Sequence, residues 1–327
     1  MATYKGIQGN TVQKLAADLT AGSGTVGQLW YNGTGSPTSD GAFKIVKEGG
    51  GAWSSAPTMN TTRAGFMSAG TQTTALMAGG NSPTTASEQY SGSAWVEGSV
   101  MNNGHPQTTG SGSQTAGWCQ SGPAVTEFYN GTGWTNQPSS SNTNKAQRGG
   151  CGPQTSALLA GGEPRTSNAE VYNGSTWTAI TAYPLTLRYP EAAGASNTAA
   201  LVICGDPGPA TNACNSWNGS SWSSSPATNT PRFEFASSGT SSTACMAIAG
   251  TTGSTGTDRV SSVEEFDGSS WTEQADVQAL SSQGGGTGTV TATVYAFGNS
   301  GPYPGTTPGA TEAWDSPTYV KKTVTMS

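Results

Sequence analysis

The sequence predicts an all-β fold, a ring of four-stranded blades, and three observations carry the prediction. An aromatic pair spaced by five residues recurs at Tyr90/Trp95, Tyr129/Trp134, Tyr172/Trp177, Trp217/Trp222, Phe266/Trp271 and Trp314/Tyr319. Each pair follows an apolar run closed by glycine, at Gly80, Gly122, Gly162, Gly205, Gly250 and Gly298. The second aromatics stand 39, 43, 45, 49 and 48 residues apart, which leaves room for four short strands per unit, the blade of a β-propeller.

Composition agrees with that reading. Of 327 residues only 10% are charged and 47 are glycine, a mixture that disfavours helix interiors, while 10 Trp and 10 Tyr supply apolar area that a disordered chain lacks. Small side chains suit crowded inner strands and tight turns, and the aromatics fill the wider gaps between blades.

Taken in chain order, the first 41 residues do not repeat and form an N-terminal arm. Within it Val12, Leu15, Ala16 and Leu19 follow helical spacing after Asn10, with an extended arm as the alternative. In each repeat strand a surrounds a Gly-rich stretch such as Ala192-Ala193-Gly194, and strand b is the apolar run before the glycine. Strand c carries Glu-x-Tyr, and strand d starts at the Trp. Asn130-Gly131, Asn173-Gly174, Asn218-Gly219 and Asp267-Gly268 lie between c and d and predict type I′ hairpin turns. Trp53 is a further strand-d signal, although only six b strands are visible. The expected count is therefore six blades, with segment 42–56 pairing near the last repeat to close the ring; seven blades, one irregular, is the rival count.

Glu88, Glu127, Glu170, Glu264 and Glu312 each precede the c-strand aromatic by two residues and so share one face. Arg63, Arg188 and Arg232 follow a Trp by ten or eleven residues, Arg148 by fourteen, and His105 follows Trp95 by ten. A ring of Glu paired with Arg from a neighbouring blade is expected, because buried charge requires a partner. His105, beside Pro106, reads as a surface loop residue. The five cysteines form no CxxC pair and read as free, compact packing residues; Cys204 and Cys214 flank one b–c loop, with a disulfide between them under oxidising conditions as the alternative.

The pattern of Gly-Gly, Glu-x-Tyr and five residues to Trp resembles kelch repeats over 42–327, although most units lack the strict double glycine. Gly27-Gln28-Leu29-Trp30-Tyr31-Asn32, with Phe43-Lys44-Ile45-Val46 and Ala52-Trp53, is similar to the opening of phage virion proteins with kelch-like bodies, particularly those of marine and cyanobacterial phages. The resemblance implies a kelch-like β-propeller at 42–327 carried by an attachment arm at 1–41.

Several function classes are disfavoured. Net charge is −6 with no basic cluster, so no nucleic-acid partner is expected, and no apolar run approaches a membrane span. The N-terminal residues lack a secretory h-region. A single histidine cannot complete a copper site of the His/Tyr type or a Ser-His-Asp triad with a recognisable nucleophile, so neither an enzyme nor a cofactor is expected. The expected role is a non-enzymatic virion component, assembled in the host cytoplasm as a tail-associated appendage or capsid decoration. Ile7, Val12, Leu15, Leu19, Leu29 and Trp30 would anchor it to capsid or tail proteins. The longest b–c loops, with Asp258, Arg259 and Tyr303, would contact a host-surface glycan or receptor. The alternative is a lectin-like propeller with repeated shallow Trp and Tyr sites.

Overall fold

Six antiparallel sheets of four strands each make up the ring of the computed structural model. It describes residues 13–15, 17, 19–21, 28–32, 42–48, 51–81, 84–122, 125–141, 146–253, 258–301, 306–316 and 319–323. They divide into two compact units, 53–315 and a smaller one drawn from 1–52 and 316–327.

Five blades are contiguous in sequence. Strands a to d of blade 1 are Met67–Gly70, Ala75–Ala78, Ser87–Tyr90 and Trp95–Glu97. Blade 2 comprises Thr109–Ser113, Ala116–Ser121, Val125–Tyr129 and Trp134–Gln137. Blade 3 comprises Gly149–Cys151, Ala157–Ala160, Ala169–Tyr172 and Trp177–Ala179. Blade 4 comprises Glu191–Ser196, Ala199–Gly205, Thr211–Trp217 and Trp222–Ser225. Blade 5 comprises Ala236–Ser241, Ala244–Ile248, Val263–Phe266 and Trp271–Gln274. Blade 6 takes strands a to c from Gly285–Thr289, Ala292–Ala296 and Thr311–Asp315, and its strand d from Ala52–Ala56 at the other end of the sequence. The six a strands touch their neighbours in a closed circle.

Closure changes one sequence assignment. In the five contiguous blades the predicted aromatics face each other across the c–d hairpin, as in Tyr90 with Trp95 and Phe266 with Trp271. In blade 6 Trp314 meets Trp53 at 5.4 Å, not Tyr319. Trp53 therefore marks strand d of blade 6 and not a seventh blade. Tyr319 belongs to Tyr319–Thr323, which pairs with Ala42–Glu48 in the smaller unit; there Ala42–Glu48 also pairs with Leu29–Asn32, which pairs in parallel with Gln13–Leu15.

The c–d turns also differ from expectation. A type I′ turn needs two left-handed residues, but only the glycine is left-handed, at φ +92° for Gly131 and Gly174. The preceding Asn instead folds a four-residue connection: Asn173 Oδ1 accepts hydrogen bonds from the Ser175 and Thr176 amides at 2.9 Å. Asp267 does the same for Ser269 and Ser270.

The core lies between blades. Trp118 of blade 2 packs on Leu159, Tyr172 and Trp177 of blade 3, and its indole N–H donates to Gly152 O at 2.8 Å. Near the axis side chains must be small: a Cβ on Gly285 would come within 2.5 Å of the Phe66 ring of blade 1.

Candidate functional site at the axial mouth

The connection entering each blade turns at a left-handed residue two positions before strand a. Those six residues are Gly65, Gln107, Gln147, Tyr189, Glu234 and Gln283, and all have positive φ, between 47° and 63°. A left-handed L-residue costs about 1–2 kcal/mol, so the surrounding structure must hold five of them in place. Backbone bonds between blades do so. Gly65 N donates to Gln283 O at 2.8 Å, Gln147 N to Gln107 O at 3.2 Å, and Tyr189 N to Gln147 O at 3.0 Å. Gln283 N bonds Glu234 O, and Thr108 N bonds Gly65 O. Gly65 leaves a gap that Asn81 fills from a b–c loop: a Cβ there would lie 2.6 Å from Asn81 Oδ1, and Asn81 Nδ2 donates to Gln283 Oε1.

Behind this mouth the axis is lined by the a strands. At their first position stand Met67, Thr109, Gly149, Glu191, Ala236 and Gly285, so only blade 4 contributes charge. Glu191 accepts a hydrogen bond from Ser237 Oγ at 3.1 Å, and burial pushes its carboxyl up to about 8. Around the mouth three blades carry Gln, whereas blades 4 and 5 carry Tyr189 and Glu234. Burial also raises Glu234, against the opposing bond from Gln283 Nε2 at 2.8 Å. A small cavity of about 50 Å³ connects these groups, lined by Gln147, Arg148, Tyr189, Glu191 and Glu234 and by the apolar Phe66 and Phe235; Gln147 Oε1 and Arg148 Nε and Nη2 are buried without a hydrogen-bond partner. At the opposite end a larger cavity of about 480 Å³ is lined by Gly, Ser, Thr, Ala, Pro and one Gln, without a charged side chain.

The predicted carboxylate ring exists, with changed partners. Each cation comes from the connection entering the same blade, not from a neighbouring blade. Arg63 Nη2 reaches Glu88 Oε1 at 2.9 Å, Arg148 Nη1 reaches Glu170 Oε2 at 2.8 Å, and Arg232 Nη2 reaches Glu264 Oε1 at 2.5 Å, all with buried side chains. His105 is not on the surface. It is fully buried and takes the arginine's place, with Nε2 3.0 Å from Glu127 Oε1 and Nδ1 2.9 Å from Ser121 Oγ. Backbone amides complete each site, as Asn102 N and Asn103 N do for Glu127.

Arg188 departs from the ring because blade 4 has Asn215 where the others have Glu. Asn215 Nδ2 donates to Tyr183 Oη at 3.1 Å, a neutral substitute, and Leu187 occupies the inward position. Arg188 turns instead to Asp206 and Glu163, each at 2.9 Å, and joins two b–c loops on the loop face. In blade 6 Glu312 accepts only the Gln278 amide among the described hydrogen bonds, and burial raises its pKa.

Of the predicted anchoring residues, Trp30 is buried within the smaller unit and Leu15, Leu19 and Leu29 are half-buried there; Ile7 and Val12 lie outside the described residues. On the loop face Arg259 is buried and donates to Ser282 Oγ at 3.2 Å and Gly301 O at 2.8 Å, while Asp258 is half-buried beside it. Tyr303 lies outside the described residues. The cysteines are buried and free. Trp95, Trp134, Trp177 and Trp271 are under 9% exposed, so these paired tryptophans are packing groups and not open platforms.

No protein-family profile matches the chain, and no curated protein matches it in sequence.

Proposed function

We propose that this chain is a non-enzymatic structural component of a tailed-phage particle, in which the ring is displayed and the smaller unit attaches it to capsid or tail proteins. The observation that carries the reading is the division of labour in the chain. Residues before and after the ring pair with each other, Ala42–Glu48 with Tyr319–Thr323, while the ring closes on its own strand Ala52–Ala56. The smaller unit's sheet shares no strand with the blades, and attachment is the role we assign to it. The reading of a phage particle rests on the resemblance of Gly27–Asn32, Phe43–Val46 and Ala52-Trp53 to the opening of virion proteins with kelch-like bodies. Assembly would then take place in the host cytoplasm, with the loop face available to a host-surface glycan or receptor. The buried c–d aromatics give no support to a lectin with repeated shallow sites.

Removing residues 1–30 tests the reading, because Ala42–Glu48 and the closing strand remain. The truncated protein should unfold at nearly the full-length temperature yet be missing from purified particles. Incorporation at the full-length level would overturn the anchoring role.

A further inference from the structure

We infer that the axial mouth binds a short-chain primary carboxamide, with its carbonyl oxygen on Arg148 and its amino group on Gln147. The inference does not rest on the particle reading. It starts from where the repeat breaks. The cavity at the mouth is walled by the six left-handed residues, the residue after each of them, and Glu191. In five blades that following residue is Phe66, Thr108, Pro190, Phe235 or Gly284; in blade 3 alone it is an arginine.

Arg148 is bonded differently from the other buried arginines of the carboxylate ring. Arg63 and Arg232 stand two residues before their left-handed residue, and each spends Nη1 on two backbone carbonyls and Nη2 on its carboxylate. Arg148 stands one residue after its own and uses Nη1 alone, on Glu170 Oε2 at 2.8 Å and Ser140 Oγ at 3.5 Å. Its Nε and Nη2 are buried without an acceptor. Those two N–H groups form the parallel edge of the guanidinium, a fork that suits a planar oxygen acceptor. In the same lining, and adjacent in sequence, Gln147 Oε1 is buried without a donor. The cavity therefore lacks an acceptor at one point and a donor at another, and each unmet group carries a desolvation cost that a ligand bearing both would relieve.

Charge and size narrow the class. Glu170 already matches the charge of Arg148 through Nη1, so a carboxylate ligand would bring a second negative charge to a lining that also holds Glu234. A cation would meet the Arg148 fork. A neutral head with an oxygen acceptor and an N–H donor in one plane answers both needs, and a primary carboxamide is such a head. Glu191 adds no charge at neutral pH, because burial pushes its carboxyl up to about 8. A cavity of about 50 Å³ admits only a few non-hydrogen atoms, too few for a sugar ring. Phe66, Pro190 and Phe235 supply apolar wall for a short alkyl stem.

The test is calorimetric titration of the full-length protein at pH 7 with three probes of similar size: propionamide, sodium propionate and propylammonium chloride, at equal ionic strength. Propionamide should bind saturably and one to one, in the millimolar range expected of so small a ligand. Both ions should bind at least about tenfold more weakly. Gln147→Met keeps the side-chain length without the acceptor and should weaken propionamide binding about tenfold. Arg148→Lys keeps a charge for Glu170 but loses the fork, and should weaken binding by a similar factor. Should either variant fail to fold, the Arg148 Nε–H resonance of the wild type, followed by nitrogen NMR, replaces it and must shift along the same saturation curve. Absence of saturable propionamide binding, either ion binding as tightly as the amide, an unmoved Arg148 resonance, or full affinity in folded Gln147→Met or Arg148→Lys overturns the proposal.

Discussion

His105 Nε2 lies 3.0 Å from Glu127 Oε1, in the position from which Arg63 reaches Glu88 and Arg232 reaches Glu264, and both side chains are fully excluded from solvent. The histidine therefore takes the arginine's place in blade 2 as a shorter side-chain partner for the carboxyl. Its loss would leave Glu127 buried with only amide partners. His105→Ala should cost about 3 kcal/mol, the usual penalty for breaking one side of a buried pair. Urea unfolding at pH 7 measures it, and a loss below about 1 kcal/mol would show that the amides alone satisfy the carboxylate.

The same logic separates two arginines that look alike in sequence. Arg232 is buried, donates to Ala249 O, Ser262 O and Glu264, and should cost about 3–5 kcal/mol when replaced by Ala. Arg188 is 30% exposed and bridges two loops, so its replacement should cost only about 1 kcal/mol. Parallel urea curves for the two alanine variants check the order, and equal losses would contradict the pairing described here.

Stability should respond to pH through two carboxyls with opposite signs. For Glu127, burial alone would raise the pKa, but hydrogen bonds from His105, Asn102 and Asn103 outweigh it and bring the group down to about 2. The folded value lies below the unfolded value, so this stabilisation is present above the ordinary carboxyl range and is lost as pH falls from about 4.5 toward 2. Glu191 is raised to about 8, so folding favours its protonated form, and stability is lost as pH rises from about 4.5 to 8. Urea midpoints across pH should fall less steeply on the acid side for Glu127→Gln than for the wild type. Between pH 5 and 8 Glu191→Gln should gain on the wild type as pH rises. Parallel profiles would remove the assignments.

Why these sites were only partly legible follows from the range of the signals. Tyr172 and Trp177 are partners across one hairpin, so a spacing of five residues reports them directly. Trp314 takes its partner from Trp53 at the far end of the sequence, and no local spacing can report that pairing; Tyr319 stood at the right distance by coincidence. His105 follows Trp95 by ten residues, as Arg63 follows Trp53 and Arg232 follows Trp222, so the offset was available but the change of residue type hid it. The left-handed residues at the mouth follow the strand-d Trp by twelve residues in five blades and thirteen in blade 3. Gln, Tyr and Glu have no intrinsic preference for that conformation, so composition could not mark them; blade-to-blade bonds impose it.

Trp53 carries ring closure. It packs on Trp314 at 5.4 Å and on Tyr295 at 6.3 Å, and its indole N–H donates to Ala275 O at 2.9 Å. Because Trp53 is partly exposed, Trp53→Ala should lose about 3 kcal/mol, the lower end for a truncated tryptophan. Removing residues 1–56 should do more, since it uncovers the edge of Thr311–Asp315 to other molecules. Light scattering on warming should show earlier aggregation for that truncation than for removal of 1–30, and identical behaviour would deny Ala52–Ala56 its closing role.

Gln147 tests whether the mouth stores strain. Its φ of +57° penalises any side chain with a Cβ, while its Oε1 has no partner to offset the cost. In ordinary strand or helix positions Gly is less stable than Ala by about 0.5–1 kcal/mol. Here the order should invert, with Gln147→Gly more stable than Gln147→Ala by about 1 kcal/mol, because glycine alone adopts the left-handed region freely. Thermal unfolding of the two variants supplies the comparison. If Gln147→Gly is instead the less stable of the two, the left-handed mouth is not a source of strain, and a different reason must be found for its six-fold recurrence.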